Sequence, residues 1–531
     1  MRIFNITFNH TKLYYFGLIL TAICLPLSKF ALSISMIVLI CNWILEMDFK
    51  RKWNEIKSNK SILIFTGIFF VHLIWLLNTQ NFKYAFHDLG NKAIILLYPI
   101  IIGTSIKLSA EQIKTILIWF ALAVISSTII STLILVGIID YPVQNIRDIS
   151  AFMSHIRLSL LINVTIFSTG YILFSGRFKN SKIEQIGFPI IIIWLIVFLY
   201  LLKSYTGIII FFVVLFIVLG FSSFKIKDII PRLFLQLAVV TIFLLLASFL
   251  THSISRFYTK EAVNFNDLEK FTQNNNSYSH GLNIDQIENG NYVWLYLCEK
   301  ELENEWNKIS SLSYDSNDKK DQELKFTLIR YLTSKGFRKD SVGVSKLSKH
   351  DVKNIENGIA NYILEDKYAI YPKIYDAIWQ IDVYKKGLNP AGNSITLRFE
   401  FAKTAFDIIK NNFWLGVGTG DVQDSFNTQY EINKSKLPPN NQLRTHNQYI
   451  TFFLSFGLIG FIIICFSVLY PAIKLKGFQN YFFTLIFIIA LLSFINEDTL
   501  ETQIGVTFFS YFYSLFLFGS KLNFKNEEKY V

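Results

Sequence analysis

The chain has 531 residues, of which 52% are hydrophobic, 16% aromatic and only 17% charged, with a mean hydropathy of +0.38. That is too apolar for an ordinary soluble protein and marks a polytopic membrane protein. The formal charge of +12, from 51 Lys+Arg against 39 Asp+Glu, does not indicate a nucleic-acid binder, because the cations sit in short clusters between apolar runs. Of four cysteines, Cys24, Cys41 and Cys465 lie in apolar segments and Cys298 stands alone in the polar stretch, which excludes a disulfide framework.

Apolar stretches able to cross a hydrocarbon core of about 30 Å fall near 13–27, 30–46, 61–78, 93–106, 115–138, 157–175, 187–202, 206–221, 233–250, 448–470, 480–495 and 503–519. They predict an all-α polytopic protein with about twelve transmembrane helices. The first run is split at Pro26 and Lys29, since a single helix over it would be about 52 Å long. No small-residue cleavage site follows a short apolar core, so the first span is read as retained. With the N-terminus inside, the inner pieces collect clusters such as Lys50, Arg51, Lys52, Lys57 and Lys60, whereas the outer pieces hold scattered Lys29, Lys83, Lys92, Arg147, Arg157 and Lys203. This bias predicts both termini in the cytoplasm.

The resulting organisation is an N-terminal membrane domain (1–250), a large outer helical domain (251–445), a C-terminal membrane domain (446–520) and an inner tail (521–531). Within the outer domain, apolar residues recur at helical spacing over 291–308, 321–334, 351–364 and 372–386. Gly336 and Gly387 are placed as helix stops. The Asn/Ser-rich 273–279 and 313–320 read as loops. Inside the predicted spans no Asp, Glu, Lys or Arg occurs away from their ends, which disfavours an ion-coupled carrier. His72, deep in a span, reads as a hydrogen-bonded packing residue.

The stretch Arg444-Thr445-His446-Asn447-Gln448-Tyr449 runs into an apolar span. Thr445 and Gln448 fit a capping box, which would make His446 the first helical residue, at the outer surface beside the positive end of the helix dipole. There a neutral imidazole near an anionic substrate is a competent general base; the plainer reading is a ring resting at the lipid interface. Upstream, 397–411 forms an amphipathic helix with Leu397, Phe401, Ala405 and Ile408 on one face. Arg398 in its first turn opposes the dipole, so it is either an ordinary surface residue or the partner of a bound anion. Gly416-Val417-Gly418-Thr419-Gly420-Asp421 lacks a preceding strand, the G-x-G-x-x-G spacing and a Walker lysine; it reads as a turn that lets backbone approach a ligand.

Arg157, Lys203 and Arg256 are outward-facing. They either snorkel to the interface or form a cationic ring suited to a diphosphate on a long lipid. The eight histidines show no i,i+4 pair and no Asp-x-Asp element occurs, so metal-independent chemistry without a cofactor is expected. The acidic run Glu497 to Glu501 is a solvated turn, or it orients a base or binds sugar hydroxyls.

The segment 398–460, from Arg398 through NNFWLGVGTGD to LRTHNQYITFFLSFGLIG, resembles the signature region of the O-antigen ligase and O-antigen polymerase superfamily. With YVWLYLCEKELENEWNK (292–308), RYLTSKGFRKD (330–340) and EDTLETQIGVTFFSYF (497–512), it is similar to O-antigen ligase-type membrane proteins of Bacteroidota over residues 150–520. The resemblance implies a GT-C-like glycosyltransferase of the bacterial inner membrane whose site faces the periplasm. Its donor would be a glycan on undecaprenyl diphosphate, and its acceptor a hydroxyl of lipid A-core or another glycan. Membrane lipids would be its other partners, and nucleic acid none. Arg398 and His446 carry over as the catalytic residues, with Arg157, Lys203, Arg256 and Arg444 expected to bind diphosphate or glycan. One departure stands out: ligases often carry Arg just after the serine of the short outer turn, whereas here Tyr205 follows Ser204 and the nearest cation is Lys203, which lacks the bidentate geometry of Arg. A polymerase or a protein O-oligosaccharyltransferase of the same superfamily would use a similar donor. A lipid-linked glycan flippase would explain the spans without a base.

Overall fold

A computed structural model of the chain describes residues 2–3, 6–7, 9–143, 146–282, 286–366, 370–387 and 394–521; the expected inner tail beyond Lys521 lies outside these residues. Helices dominate, and each predicted span coincides with one. Among the described residues, eight helices are long and apolar enough to cross a membrane: Ser61–Asn78, Phe82–Thr104, Ala110–Leu135, His155–Phe174, Lys182–Leu201, Tyr205–Ser223, Ile229–Tyr258 and Gln448–Lys474. The remaining predicted spans correspond to His10–Cys24, Lys29–Leu45, Tyr481–Asn496 and Gln503–Leu517. The chain is a multi-pass, all-α membrane protein, as the absence of water in the bilayer core demands of a helical chain. The split in the first apolar run falls where Ser28 caps Lys29–Leu45 by accepting from Ala31 N–H. That helix is followed, after a bend of 106°, by the short basic helix Phe49–Ser58.

The chain divides into two compact units, residues 1–235 with 400–531, and residues 236–399. At the heart of the first lies Gln503–Leu517, buried on every side from Ile504 to Phe516. A helix apolar all round belongs in such a place. Its polar groups find carbonyls: the Tyr511 hydroxyl donates to Leu18 and that of Tyr513 to Val468. Phe65 stacks on Tyr513 with ring centroids 4.1 Å apart.

The second unit is built on Trp306, Leu328, Tyr331 and Ile355, from helices Glu299–Ile309, Leu324–Ser334, Lys349–Glu356 and Ile370–Lys385. The helix expected over 291–308 begins only at Glu299, because residues 287–292 form a hairpin. Glu288 pairs with Asn291 around Asn289 and Gly290, both at positive φ, the conformation an Asn-Gly hairpin turn requires. Gly336 and Gly387 end their helices at φ +71° and +76°. The buried Glu288 carboxylate accepts from Arg330 Nε at 2.7 Å, from Asn361 at 2.6 Å and from the Tyr375 hydroxyl at 3.1 Å.

One device in the first unit positions the site. Helix Gln448–Lys474 is broken at Gly457, at φ +61° and ψ −169°, leaving donors and acceptors on either side of the break without helical partners. The segment Phe413–Gly420 supplies them. Val417 N–H donates to the Leu454 carbonyl and Gly418 N–H to that of Ser455, both at 2.9 Å, while the Phe413 carbonyl accepts from Leu458 N–H at 2.8 Å. Deep in a membrane protein such accounting is obligatory. A Cβ on Gly416 would lie 2.4 Å from the Ser455 backbone, and one on Gly418 2.4 Å from the Asn78 carbonyl. The sequence-based expectation that this glycine run meets a ligand is therefore corrected: the glycines let backbone meet backbone. Asp421 completes the strap by accepting from Gln80 and Asn81 N–H at 2.8 and 2.7 Å. Gly457→Ala places a Cβ 2.3 Å from the Trp414 backbone in a conformation open essentially to glycine, and should cost at least about 2 kcal/mol. Thermal unfolding in detergent checks this, and an unchanged Tm would contradict it.

Candidate functional site

His446 stands where the loop from Gln442 enters the broken helix. The cap of that helix is Asn447, whose side chain accepts from Ile450 N–H, so the expected Thr445–Gln448 capping box does not form. Asn is as good a cap as Thr, and its use moves His446 one position before the cap instead of into the first turn. Gln448 is freed to reach across to the last outer loop: its Oε1 accepts from Leu500 N–H at 2.8 Å and its Nε2 donates to Glu501 at 3.2 Å. The His446 side chain is 36% exposed, with Nδ1 4.0 Å from Asp498 Oδ1. Its ring centroid lies 6.0 Å from that of Phe401. Phe401, Ala405 and Ile408 are buried together, as the amphipathic pattern of their helix implies.

Beneath His446 runs a chain of buried charges. The Arg444 guanidinium lies 3.2 Å from Asp498 and 3.7 Å from Glu501, and donates to the Tyr84 hydroxyl at 2.8 Å. Glu501 meets Lys92 at 3.1 Å, and Lys92 meets Asp88 at 3.0 Å and donates to the Leu500 carbonyl at 2.7 Å. His72 Nε2 lies 3.9 Å from Asp88, and the ring's other nitrogen pairs with the Ile68 carbonyl at 2.7 Å. The expectation that no charge lies inside a span is thus overturned. Helix Phe82–Thr104 starts well before its apolar half, and Lys92, fully buried, sits near its middle. With Lys92 and Asp88 buried inside a membrane helix, intramembrane charge no longer sets this chain apart from carriers.

The electrostatics of this chain are specific. Burial alone would raise the Glu501 pKa, but Lys92 and Arg444 hold it well below the usual carboxylate range. Burial pushes the Asp498 carboxyl up, against the pull of Arg444. Three carboxylates, Asp88, Asp498 and Glu501, face two fixed cations, Lys92 and Arg444.

Other expected residues gather elsewhere. Ser204 caps Tyr205–Ser223 and donates to Ser159 Oγ at 3.0 Å, two residues beyond Arg157, so the Arg157 and Lys203 ends of neighbouring helices meet. Lys203 occupies the tight turn at φ +52°. The buried Nε of Arg157 meets no hydrogen-bond partner among the described residues. Arg147, which the sequence reading did not single out, lies over the Tyr205 ring at 5.5 Å. Arg256 and Arg398 belong to the second unit: Arg256 covers the Tyr371 ring at 4.5 Å, and Arg398 is half-buried in Ser394–Asn411. As possible metal ligands, His446, Glu497 and Asp498 offer three atoms within 4.8 Å of one another, while Asp498 Oδ2 meets Arg444 at 3.2 Å.

Residues 352–465, which contain Arg398, Arg444 and His446, match the family model described as O-antigen ligase. The match supports the O-antigen ligase superfamily. No curated protein matched the chain.

Lys92→Met would leave Asp88 buried without its cation and Glu501 with Arg444 alone, and should cost about 3–5 kcal/mol, part of it recovered by adding Glu501→Gln. Tm measurements on the single and double variants check this; an unaltered Tm in Lys92→Met would contradict the pairing.

Proposed function

We propose that the protein is a periplasmic glycan ligase of the bacterial inner membrane, with about twelve spans and both termini in the cytoplasm. It transfers an O-antigen or related polysaccharide from undecaprenyl diphosphate to a hydroxyl of lipid A-core or another acceptor. The observation that carries this reading is the placement of His446 beside Asp498 and Arg444, within the segment matched by the O-antigen ligase family. The His446 imidazole takes the proton of the acceptor hydroxyl as its oxygen attacks the anomeric carbon, with Nδ1 turned to the Asp498 carboxylate. The bond from that carbon to the diphosphate breaks, and undecaprenyl diphosphate departs with the electron pair. Arg157 and Lys203 stabilise its charge; Arg398 is assigned to the same task by the resemblance, and Arg256 by its place among the outward-facing cations of the sequence. A single displacement inverts the anomeric centre, in a GT-C-like enzyme that needs no metal.

The paired charges inside Phe82–Thr104 give one specific observation to a flippase reading, in which label crosses the bilayer without forming a new glycosidic bond. Purified protein with labelled donor and acceptor separates the two. Transfer is expected from the wild type and should survive EDTA. His446→Ala should lower it at least about 100-fold, while Asp498→Asn should cause a smaller loss, in kcat more than KM. Full transfer by His446→Ala would remove the histidine from the chemistry, and chelator-sensitive transfer restored by Mg²⁺ would overturn the metal-free mechanism. In cells, deletion should leave bare lipid A-core; core bearing a single repeat would indicate a polymerase.

A further inference from the structure

The first unit also holds a cleft of about 640 Å³ walled by amides and hydroxyls. Asn78, Gln80 and Asn81 form one wall, Asn411 ends a helix at a second, and Asp424 and Ser425 stand on a third. Some of these groups are committed to the fold: Asn78 donates to the Gly416 carbonyl at 3.0 Å, and Asn81 to Asp424 at 2.8 Å. The side chains of Gln80, Asn411 and Ser425 make no hydrogen bond among the described residues. No Lys or Arg lines the cleft, whereas two carboxylates do, so it repels a phosphate. It is no cation cage either, since both oxygens of the lining Asp421 are taken by backbone N–H groups. The apolar lining is limited to Ile408 and Val417, too little to hold a lipid tail or an apolar peptide side chain. What remains is an array of groups that both donate and accept, which is what the hydroxyls of an uncharged sugar chain require.

The cleft is tied to the catalytic loop. Ile408 lies two turns beyond Phe401 on one helix, about 10 Å along it, and Phe401 is the ring that meets His446. Helix Val422–Ile432, which carries Ser425, is fastened to the same loop by the Tyr430 hydroxyl, which donates to the Leu443 carbonyl at 2.8 Å.

We infer that this cleft is a glycan subsite, holding an uncharged stretch of sugar chain at a distance from the reacting unit. The inference rests on the glycan-transfer reading above and adds to it a binding surface separate from His446 and the cationic residues. The chain can belong to donor or acceptor, and the two are distinguishable. Full-length protein in nanodiscs would be titrated with the oligosaccharide released by mild acid from the cells' own lipid-linked donor, and in a second arm with the core oligosaccharide released from their lipid A. Binding is read by calorimetry without turnover. One of the two should bind the wild type, and the triple variant Gln80→Ala, Asn411→Ala, Ser425→Ala should bind it about tenfold more weakly, with KM for that substrate raised and kcat kept. The arm that responds names the source. Equal affinity in wild type and variant, no binding of either oligosaccharide, or displacement by a mixture of periplasmic peptides instead of sugar would each overturn the subsite. Absence of transfer in the wild type, with sugar binding intact and lost in the variant, would overturn the transfer reading and leave the subsite standing.

Discussion

Burying charge in a membrane protein is tolerable only when every charge has a partner, and the site of this protein depends on that constraint. Lys92 and Arg444 lie within reach of Asp88, Glu501 and Asp498, joining a transmembrane helix, the last outer loop and the loop before Gln448–Lys474. Those links hold His446 against a carboxylate at the edge of the apolar core instead of leaving it on a free loop. Tyr84 and Gln448 add hydrogen bonds to the network. Such a network restrains its members, and the proposed role of His446 as a base calls for that restraint, since a base must meet a hydroxyl in one orientation.

The same obligation governs the backbone. A helix broken at Gly457 exposes donors and acceptors that lipid cannot satisfy, and the strap Phe413–Gly420 satisfies them. Its glycines serve that approach, and Asp421 at its end fixes the start of the neighbouring membrane helix. Strap, broken helix and charge network therefore share the task of setting where the loop bearing Arg444 and His446 comes to rest. The cationic pair Arg157 and Lys203 is organised independently, by the contact of Ser204 with Ser159.

Hydropathy alone located a helix for every span, because a run of apolar side chains long enough to cross a bilayer has few other stable fates. It failed for the first half of Phe82–Thr104. The stretch FKYAFHDLGNK is polar on average, and its i,i+4 pair Asp88–Lys92 was the local sign that it continues the helix. The partner Glu501 comes from the far end of the chain, beyond what any window can see. The glycine run was visible as unusual, but its meaning lay in a break in another helix. The position of His446 at the head of a span was legible from RTHNQY; its carboxylate was only one option among several for the acidic turn. The Asn289–Gly290 hairpin was legible in principle from its dipeptide and was masked by the helical spacing around it.

Orientation is the premise of the proposed ligase chemistry, in which a polyprenyl-linked glycan and its acceptor would meet His446 on the non-cytosolic face. The most direct measurement uses a chain in which Cys24, Cys41, Cys298 and Cys465 are replaced by serine and His446→Cys is introduced. Intact cells with a permeabilised outer membrane are treated with a maleimide that cannot cross the inner membrane. Labelling of position 446 from outside is the expected result; labelling only after the inner membrane is opened would place the histidine in the cytosol and contradict a periplasmic ligase.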